Sequence, residues 1–176
     1  MSYRPLSGAK SIWLFGLSGA GKTTFANELV SSINGPYLHL DGDVLRQGVC
    51  SDLGFSLHDR IANVTRVAHI CKMCNQQGIS CIVSMITPTA NMRTLARDII
   101  GQDKFRLIYM STPLEVCIER DSKGLYSKKT MDLTGINQQF DPPMPDEDTS
   151  LVLNTATSSL SDMITLARGF IRKEGL

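Results

Sequence analysis

Eight consecutive residues, Gly16-Leu17-Ser18-Gly19-Ala20-Gly21-Lys22-Thr23, satisfy the pattern G-x-x-x-x-G-K-[ST] at every fixed position. The chemistry of that spacing is capture of a polyphosphate. Its glycines let the backbone curl so that successive N–H groups point inward, and a helix beginning there adds positive potential. Lys22 is then placed to reach the β- and γ-phosphates, the Thr23 hydroxyl to ligate Mg2+, and Thr24 to follow in the first helical turn. Further along, Asp41-Gly42-Asp43 offers a pair of acids. One carboxylate can organise magnesium through water, while the other can accept a proton from an attacking hydroxyl.

These groups act together only if a fold brings a glycine turn, a helix start and an acidic strand end to one edge. Ser11-Ile12-Trp13-Leu14-Phe15 predicts a buried strand before the glycine turn, and Thr24-Phe25-Ala26-Asn27-Glu28-Leu29-Val30 a helix after it. Residues 36–40 predict a second strand that ends at the acid pair, with Gly42 letting the backbone turn. Helical spacing from about 56 to 77 places Ile61, Val64, Val67, Ala68, Cys71 and Cys74 on one face behind a Ser56 cap. Strands at 79–84, 105–110 and 151–153 and helices around 91–100 and 161–172 extend the alternation, with another helix running from Pro113 at its first position through Arg120. That alternation defines the α/β class, a mostly parallel sheet with helices on both faces. Ligands of such sheets bind in the crevice at the carboxyl ends of the strands.

With 176 residues, 42% of them apolar, the chain suits a single domain spanning 1–176. Eighteen basic against seventeen acidic residues give a net charge of +1, which argues against a broad nucleic-acid-binding surface. No stretch approaches the roughly 20 apolar residues of a membrane span, and the N-terminus lacks the layout of a secretory signal, so a soluble cytoplasmic protein is expected. Cys50, Cys71, Cys74, Cys81 and Cys117 form an odd set without framework spacing, as expected of reduced thiols. The lone C-x-x-C of Cys71 to Cys74 has no matching pair and lies in a helical pattern, so it is assigned to the core. His39, His58 and His69 form no ligand cluster, and no structural metal is expected.

The polar stretch from about 121 to 148 is too long for a simple connection inside a compact domain, and such segments are usually functional. A lid that closes over substrates and excludes water is the expectation, followed by an extended strap at Pro142-Pro143-Met144-Pro145. The fate of the γ-phosphate narrows as well. There is no Asn-Lys-x-Asp motif of the guanine-binding GTPases, and no apolar strand ends in the Asp-Glu of motor ATPases.

Leu40-Asp41-Gly42-Asp43, Arg46, Gly48, Asp52-Leu53-Gly54-Phe55-Ser56, Asp59-Arg60 and Asn63 resemble the acceptor-binding region of adenosine 5′-phosphosulfate (APS) kinases. The similarity continues in order through Ser84, Ile86, Pro88, Arg93, Thr112-Pro113-Leu114-Glu115-Val116-Cys117, Arg120-Asp121, Lys123-Gly124-Leu125-Tyr126 and Thr134-Gly135-Ile136. It implies the three-layer fold of P-loop nucleoside-triphosphate hydrolases, with a lid, and transfer of the γ-phosphoryl of MgATP to the 3′-hydroxyl of APS, yielding PAPS and ADP. By resemblance Arg46, Phe55, Arg60 and Asn63 line the acceptor site, with Ile86, Thr87 and Leu125 beside them, the ring of Phe55 offering a face to the base. Guanidinium forks at Arg46 and Arg60 suit an anionic phosphosulfate. Lys123 resembles the lid lysine that meets the transferring anion, and Arg120 the residue covering the ATP adenine. Asp43 is expected nearest the acceptor hydroxyl and Asp41 in the magnesium shell. The family's serine before proline is Thr87 here, expected to line the site, because direct in-line transfer needs no phosphorylated intermediate. Family members are often dimers, so a homodimer is expected.

Departures from the family pattern cluster where the acceptor is expected. Val44 stands where the family has Asn, Leu133 where it has an aromatic ring over the acceptor, and Thr89-Ala90 where it has Tyr-Arg. The donor motif is intact. That asymmetry admits a second reading, a kinase of the same fold acting on a ribose hydroxyl of another anionic nucleotide, such as a cytidine diphosphate derivative in capsule or surface-polysaccharide modification. A third, a non-catalytic nucleotide-binding regulator, sits poorly with the retention of Lys22, Thr23, Asp43 and Arg60.

Overall fold

Alternate residues of the first strand serve opposite faces of one sheet. In the computed structural model, which describes residues 8–121, 124, 126–127, 134–145, 147 and 149–173, β1 (Ser11–Phe15) is wholly buried. Trp13 and Phe15 enter one hydrophobic cluster, Ile12 and Leu14 another, as the two-residue period of a strand requires. Phe15 and Trp13 meet residues of α3 (Leu57–Gln76) and α4 (Ala90–Ile100). Ile12 and Leu14 meet α1 (Lys22–Ser32) and α6 (Leu160–Lys173). The result is three layers, helix on sheet on helix.

β2 (Tyr37–Asp41), β3 (Ser80–Ser84), β4 (Phe105–Met110) and β5 (Thr149–Leu153) complete a five-stranded sheet in the order β2-β3-β1-β4-β5. All pairings are parallel, so every strand ends at the same edge. From β1 the chain moves to one side for β2 and β3, then crosses to the other for β4 and β5. The crossover makes the end of β1 a topological switch point, where α/β sheets open a crevice.

The expected elements are present, with bounds shifted by a residue or so at most ends, and the differences have physical causes. A short helix, α2 (Gly42–Gln47), replaces the expected turn. Asp41 caps it, its Oδ1 accepting from the N–H groups of Asp43 and Val44 at 3.0 and 3.3 Å, and aspartate is a favoured N-cap. Gly42 does not turn the chain; a Cβ there would lie 3.0 Å from Met85 Cγ, so the glycine permits helix and strand to touch. On α3 the Ser56 cap holds, with its Oγ accepting from Asp59 N at 3.1 Å. Its buried face takes in Asn63 and Asn75 in place of Ile61, which is exposed, and Cys74 is half-buried. Asn75 is satisfied inside, accepting from Ser11 Oγ and donating to the Ile79 carbonyl. Pro113 is the cap of α5 (Leu114–Arg120), one residue before the helix.

The strap is irregular and is pinned at both ends. Asp141 Oδ2 accepts from Ala90 N at 3.1 Å, and Asp141 N donates to the Pro88 carbonyl at 2.7 Å. A turn closes near its end, with Glu147 N bonded to the Met144 carbonyl at 3.0 Å. Phe140 stacks with Phe15 and Tyr109. All five cysteines are unpaired thiols, and burial raises the ionisation of Cys74 to about 11. Among the described residues no helix is long and apolar enough to cross a membrane.

Candidate active site

At the end of β1 the chain must pass under β4 to enter the phosphate loop. Gly16 does this with φ 149°, and a Cβ there would come within 2.6 Å of the Met110 carbonyl oxygen. Only glycine fits both constraints. The loop then closes around the Lys22 ammonium, which donates to the carbonyls of Gly16 and Leu17 at 2.9 and 2.6 Å. Helix α1 starts without a side-chain cap or an acidic first turn, so its positive end is kept for an anion. Gly16, Leu17 and Ala20 build the loop from behind, while Ser18, Gly19, Gly21, Lys22, Thr23 and Thr24 line a cavity of about 1110 Å³. A single small ligand fills roughly 300–1,000 Å³. This cavity is at the upper end of that range or beyond it, and it extends well past the phosphate loop.

One end of this cavity lies over α5 and the start of α6. Arg120 lines it and is clamped there by Thr155, which accepts at Oγ1 (2.6 Å) and at its carbonyl (3.0 Å). Thr155 also meets Thr112 Oγ1 at 2.8 Å. With Ser158, Leu160 and Met163 it forms a wall that the motif reading missed. These residues follow β5 with no recognisable spacing, and only the parallel pairing of β5 with β4 brings them beside the loop. Tyr126 lines the cavity and donates from its hydroxyl to the Ser18 carbonyl at 3.0 Å, which attaches the expected lid region to the loop. Burial pushes the Tyr126 phenol up to about 12.

Between the two ends sits the acid pair. Asp41 Oδ2 accepts hydroxyl hydrogens from Thr23 and Ser84, each at 2.7 Å. Burial alone would raise its carboxyl, but these bonds and the N–H groups of Asp43 and Val44 outweigh it and hold Asp41 below its ordinary value. Ser84 Oγ in turn lies 2.9 Å from His39 Nε2. Burial lowers His39, with the Asp41 charge pulling the other way. Asp43 lines the cavity beside this network. The donor chemistry suits Mg2+. A threonine hydroxyl that donates to a carboxylate keeps oxygen lone pairs for a hard cation, and Mg2+ is commonly held by few protein oxygens plus substrate phosphates. Accordingly, no cluster of three His, Cys, Asp or Glu able to hold a metal by itself occurs among the described residues.

The far end is lined by α2, α3 and the loop after β3. Phe55, 55% exposed, carries the Arg46 guanidinium at 4.7 Å from its ring centroid and that of Arg60 at 5.6 Å. Arg46 is steadied by the carbonyls of Leu53 and Gly54, and Arg60 by that of Phe55. Ring and cations thus form one unit on the cavity wall. Asn63 is 2% exposed, and its Oδ1 has no partner among the described residues. A buried orphan acceptor on a cavity wall marks a place for a ligand donor. Ile86 and Thr87 line the same wall. Thr87 has φ 43°, a strained value for a β-branched residue. Its hydroxyl accepts from Trp13 Nε1 at 2.8 Å and its carbonyl from Arg93 Nη1 at 3.2 Å.

Arg93 is the second residue the motif reading undervalued. It is 1% exposed, pairs with Glu147 at 3.0 Å, lies 4.3 Å from the Phe15 ring centroid and donates to the Pro142 carbonyl. It therefore ties the strap to the strained cavity wall. Lys123 and Leu125, assigned to the site by resemblance, lie outside the described residues, as does Leu133. The other departures do not line the cavity. Val44 is solvent-exposed on α2, Thr89 caps α4 through Met92 N, and Ala90 N is bonded to Asp141. Val44, Thr89 and Ala90, expected on the acceptor side, thus lie off the cavity wall.

A parallel sheet with a phosphate loop at its switch point, an acid pair where β2 passes into α2 and one cavity running from that loop to a cationic far wall defines a P-loop kinase. Within that class the chain belongs to the adenylylsulphate kinase family, whose model matches residues 8–153. It is 38% identical to the adenylyl-sulfate kinase of Shewanella amazonensis over 87% of this chain and 79% of that protein. Identity to the corresponding enzyme of Bacteroides thetaiotaomicron is 40%, over 87% and 78%. In three dimensions it resembles the Mycobacterium tuberculosis APS kinase solved in complex with AMPPNP and APS. That match has a TM-score of 0.83 and 32% identity, covering 93% of this chain and 98% of the other.

Proposed function

We infer that the protein is an adenylylsulfate kinase, transferring the γ-phosphoryl group of ATP to the 3′-hydroxyl of APS to give PAPS and ADP in sulfate assimilation. The observation that carries this is the single cavity joining an intact phosphate loop to a far wall of Arg46, Phe55, Arg60 and the orphan Asn63 acceptor. ATP lies with its phosphates in the loop and its base against the wall that Arg120 and Thr155 form together. APS lies at the far end, its anionic group facing Arg46 and Arg60 and its 3′-hydroxyl facing Asp43. Thr23 and, through it, Asp41 hold Mg2+, which neutralises charge on the β- and γ-phosphates when bound. Asp43 orients the acceptor hydroxyl and takes its proton late, when the bond to the leaving phosphate is largely broken. Lys22 stabilises the charge that develops across the transferring group. Thr87, its hydroxyl already bonded to Trp13, lines the site and carries no phosphate. Lys123 and Leu125 belong to the lid, about 121–148 of a single kinase domain, and close over both substrates.

A cytoplasmic setting agrees with five reduced thiols. A homodimer is the assembly this reading favours, with Leu57, Ile61 and Met73 of α3 exposed and available to a second copy; sedimentation would show a single species of twice the chain mass. The catalytic reading is tested by following ADP release from MgATP with APS or with a panel of pyrimidine diphosphate nucleotides. APS-dependent release well above the ATP-only background is expected. A rate with APS equal to background would refute the assignment. Lys22→Ala should lower the APS-dependent rate about 100- to 1,000-fold, and near-normal activity would overturn the site.

A further inference from the structure

The hydrogen bonds around Asp41 determine where each proton lies in the chain Thr23, Asp41, Ser84, His39. Asp43 N and Val44 N occupy Oδ1, and both can only donate. The hydroxyls of Thr23 and Ser84 both donate to Oδ2, at 2.7 Å. Ser84 has then used its only hydrogen, so at the 2.9 Å contact with His39 Nε2 the ring donates and the serine accepts. The ring therefore holds a proton at Nε2. The sheet builds this arrangement in, because Asp41 and Ser84 are register partners of β2 and β3.

We propose that Ser84 and His39 are positioning residues for phosphoryl transfer: His39 orients the Ser84 hydroxyl, and Ser84 holds Asp41 Oδ2 so that Thr23 turns its hydrogen inward and its oxygen lone pairs toward the metal. The N–H groups of α2 hold Oδ1 at 3.0 and 3.3 Å, and the two hydroxyls hold Oδ2 more closely, at 2.7 Å each, so the plane of the carboxylate is fixed from both sides. Neither Ser84 nor His39 belongs to the phosphate-loop motif or the acid pair, and their contribution is visible only in the paired strands. The inference rests on the reading that Thr23 helps hold Mg2+ with ATP, and it is independent of which acceptor is used.

Calorimetric titration of AMPPNP in the presence of Mg2+ or of EDTA, without acceptor, tests it. Ser84→Ala should weaken Mg2+-dependent binding about ten-fold or more, the usual loss when a group supporting a metal ligand is removed, and leave binding in EDTA unchanged. His39→Leu should act in the same direction, and His39→Gln, whose amide reaches Ser84 as a donor, should restore affinity. Wild-type binding by Ser84→Ala with Mg2+ would overturn the proposal. So would an equal loss with and without metal, the mark of a purely structural bond between strands. Failure of His39→Gln to exceed His39→Leu would remove His39 from it. Thr23→Val separates the two levels: it should lose the Mg2+ enhancement, and if it keeps that enhancement the underlying reading of Thr23 fails, whatever Ser84 does.

Discussion

Asp41 carries a structural duty of its own, since it caps α2 and binds Thr23 and Ser84 at once. Its folded carboxyl sits below the ordinary 3.8, so its stabilising contribution is complete above that pH and is lost as pH falls through the folded value. His39 is likewise depressed from 6.5. For a base this means the unfolded chain takes up the proton first, and stability declines as pH falls from 6.5 toward the folded value. Urea midpoints measured across this range should drop on acidification in the wild type and less steeply in His39→Gln; identical slopes would contradict the assignment. At this scale Lys22 and Thr23 were legible because a fixed motif places them. Ser84, His39 and Thr155 were not, because their partners are set by strand register, which one-dimensional spacing does not reveal.

Between elements, the main joint is the buried pair Arg93–Glu147, 1% and 7% exposed, linking α4 to the strap. Removing one member of such a pair strands a charge and costs about 3–5 kcal/mol, whereas replacing both with apolar groups is often close to neutral. Glu147→Leu should therefore destabilise the protein by about 3 kcal/mol in denaturant unfolding, and Arg93→Met/Glu147→Leu should recover most of that. Equal stability of the single and double variants would contradict this account. Because Arg93 also holds the Thr87 carbonyl, Glu147→Leu should raise KM for the acceptor more than for ATP. The strands and the long helices were readable from their periodicity and caps. Helix α2 was not, since six residues with one buried side chain carry no period. The strap's prolines signalled an irregular segment, yet its anchoring depends on Asp141 and Glu147 meeting α4 from far along the chain.

For the whole molecule, the crossover at β1 puts donor loop, acid pair and acceptor wall along one edge, with one cavity of about 1110 Å³ spanning them. That continuity favours direct in-line transfer between two bound nucleotides over hydrolysis or a relay through the protein. The fold class was legible in the sequence because the strands and helices alternate regularly, and the residues read for the phosphate loop and the far wall line one cavity. The weight given to Val44, Thr89 and Ala90 was misplaced, because sequence proximity to site motifs does not say which side of a helix faces the cavity. Rapid-quench analysis with γ-labelled ATP and APS tests the central claim most directly. In a single turnover the label should pass from ATP to the 3′-oxygen of APS, with none on protein and little as inorganic phosphate. Label accumulating on the protein, or as inorganic phosphate regardless of APS, would contradict it.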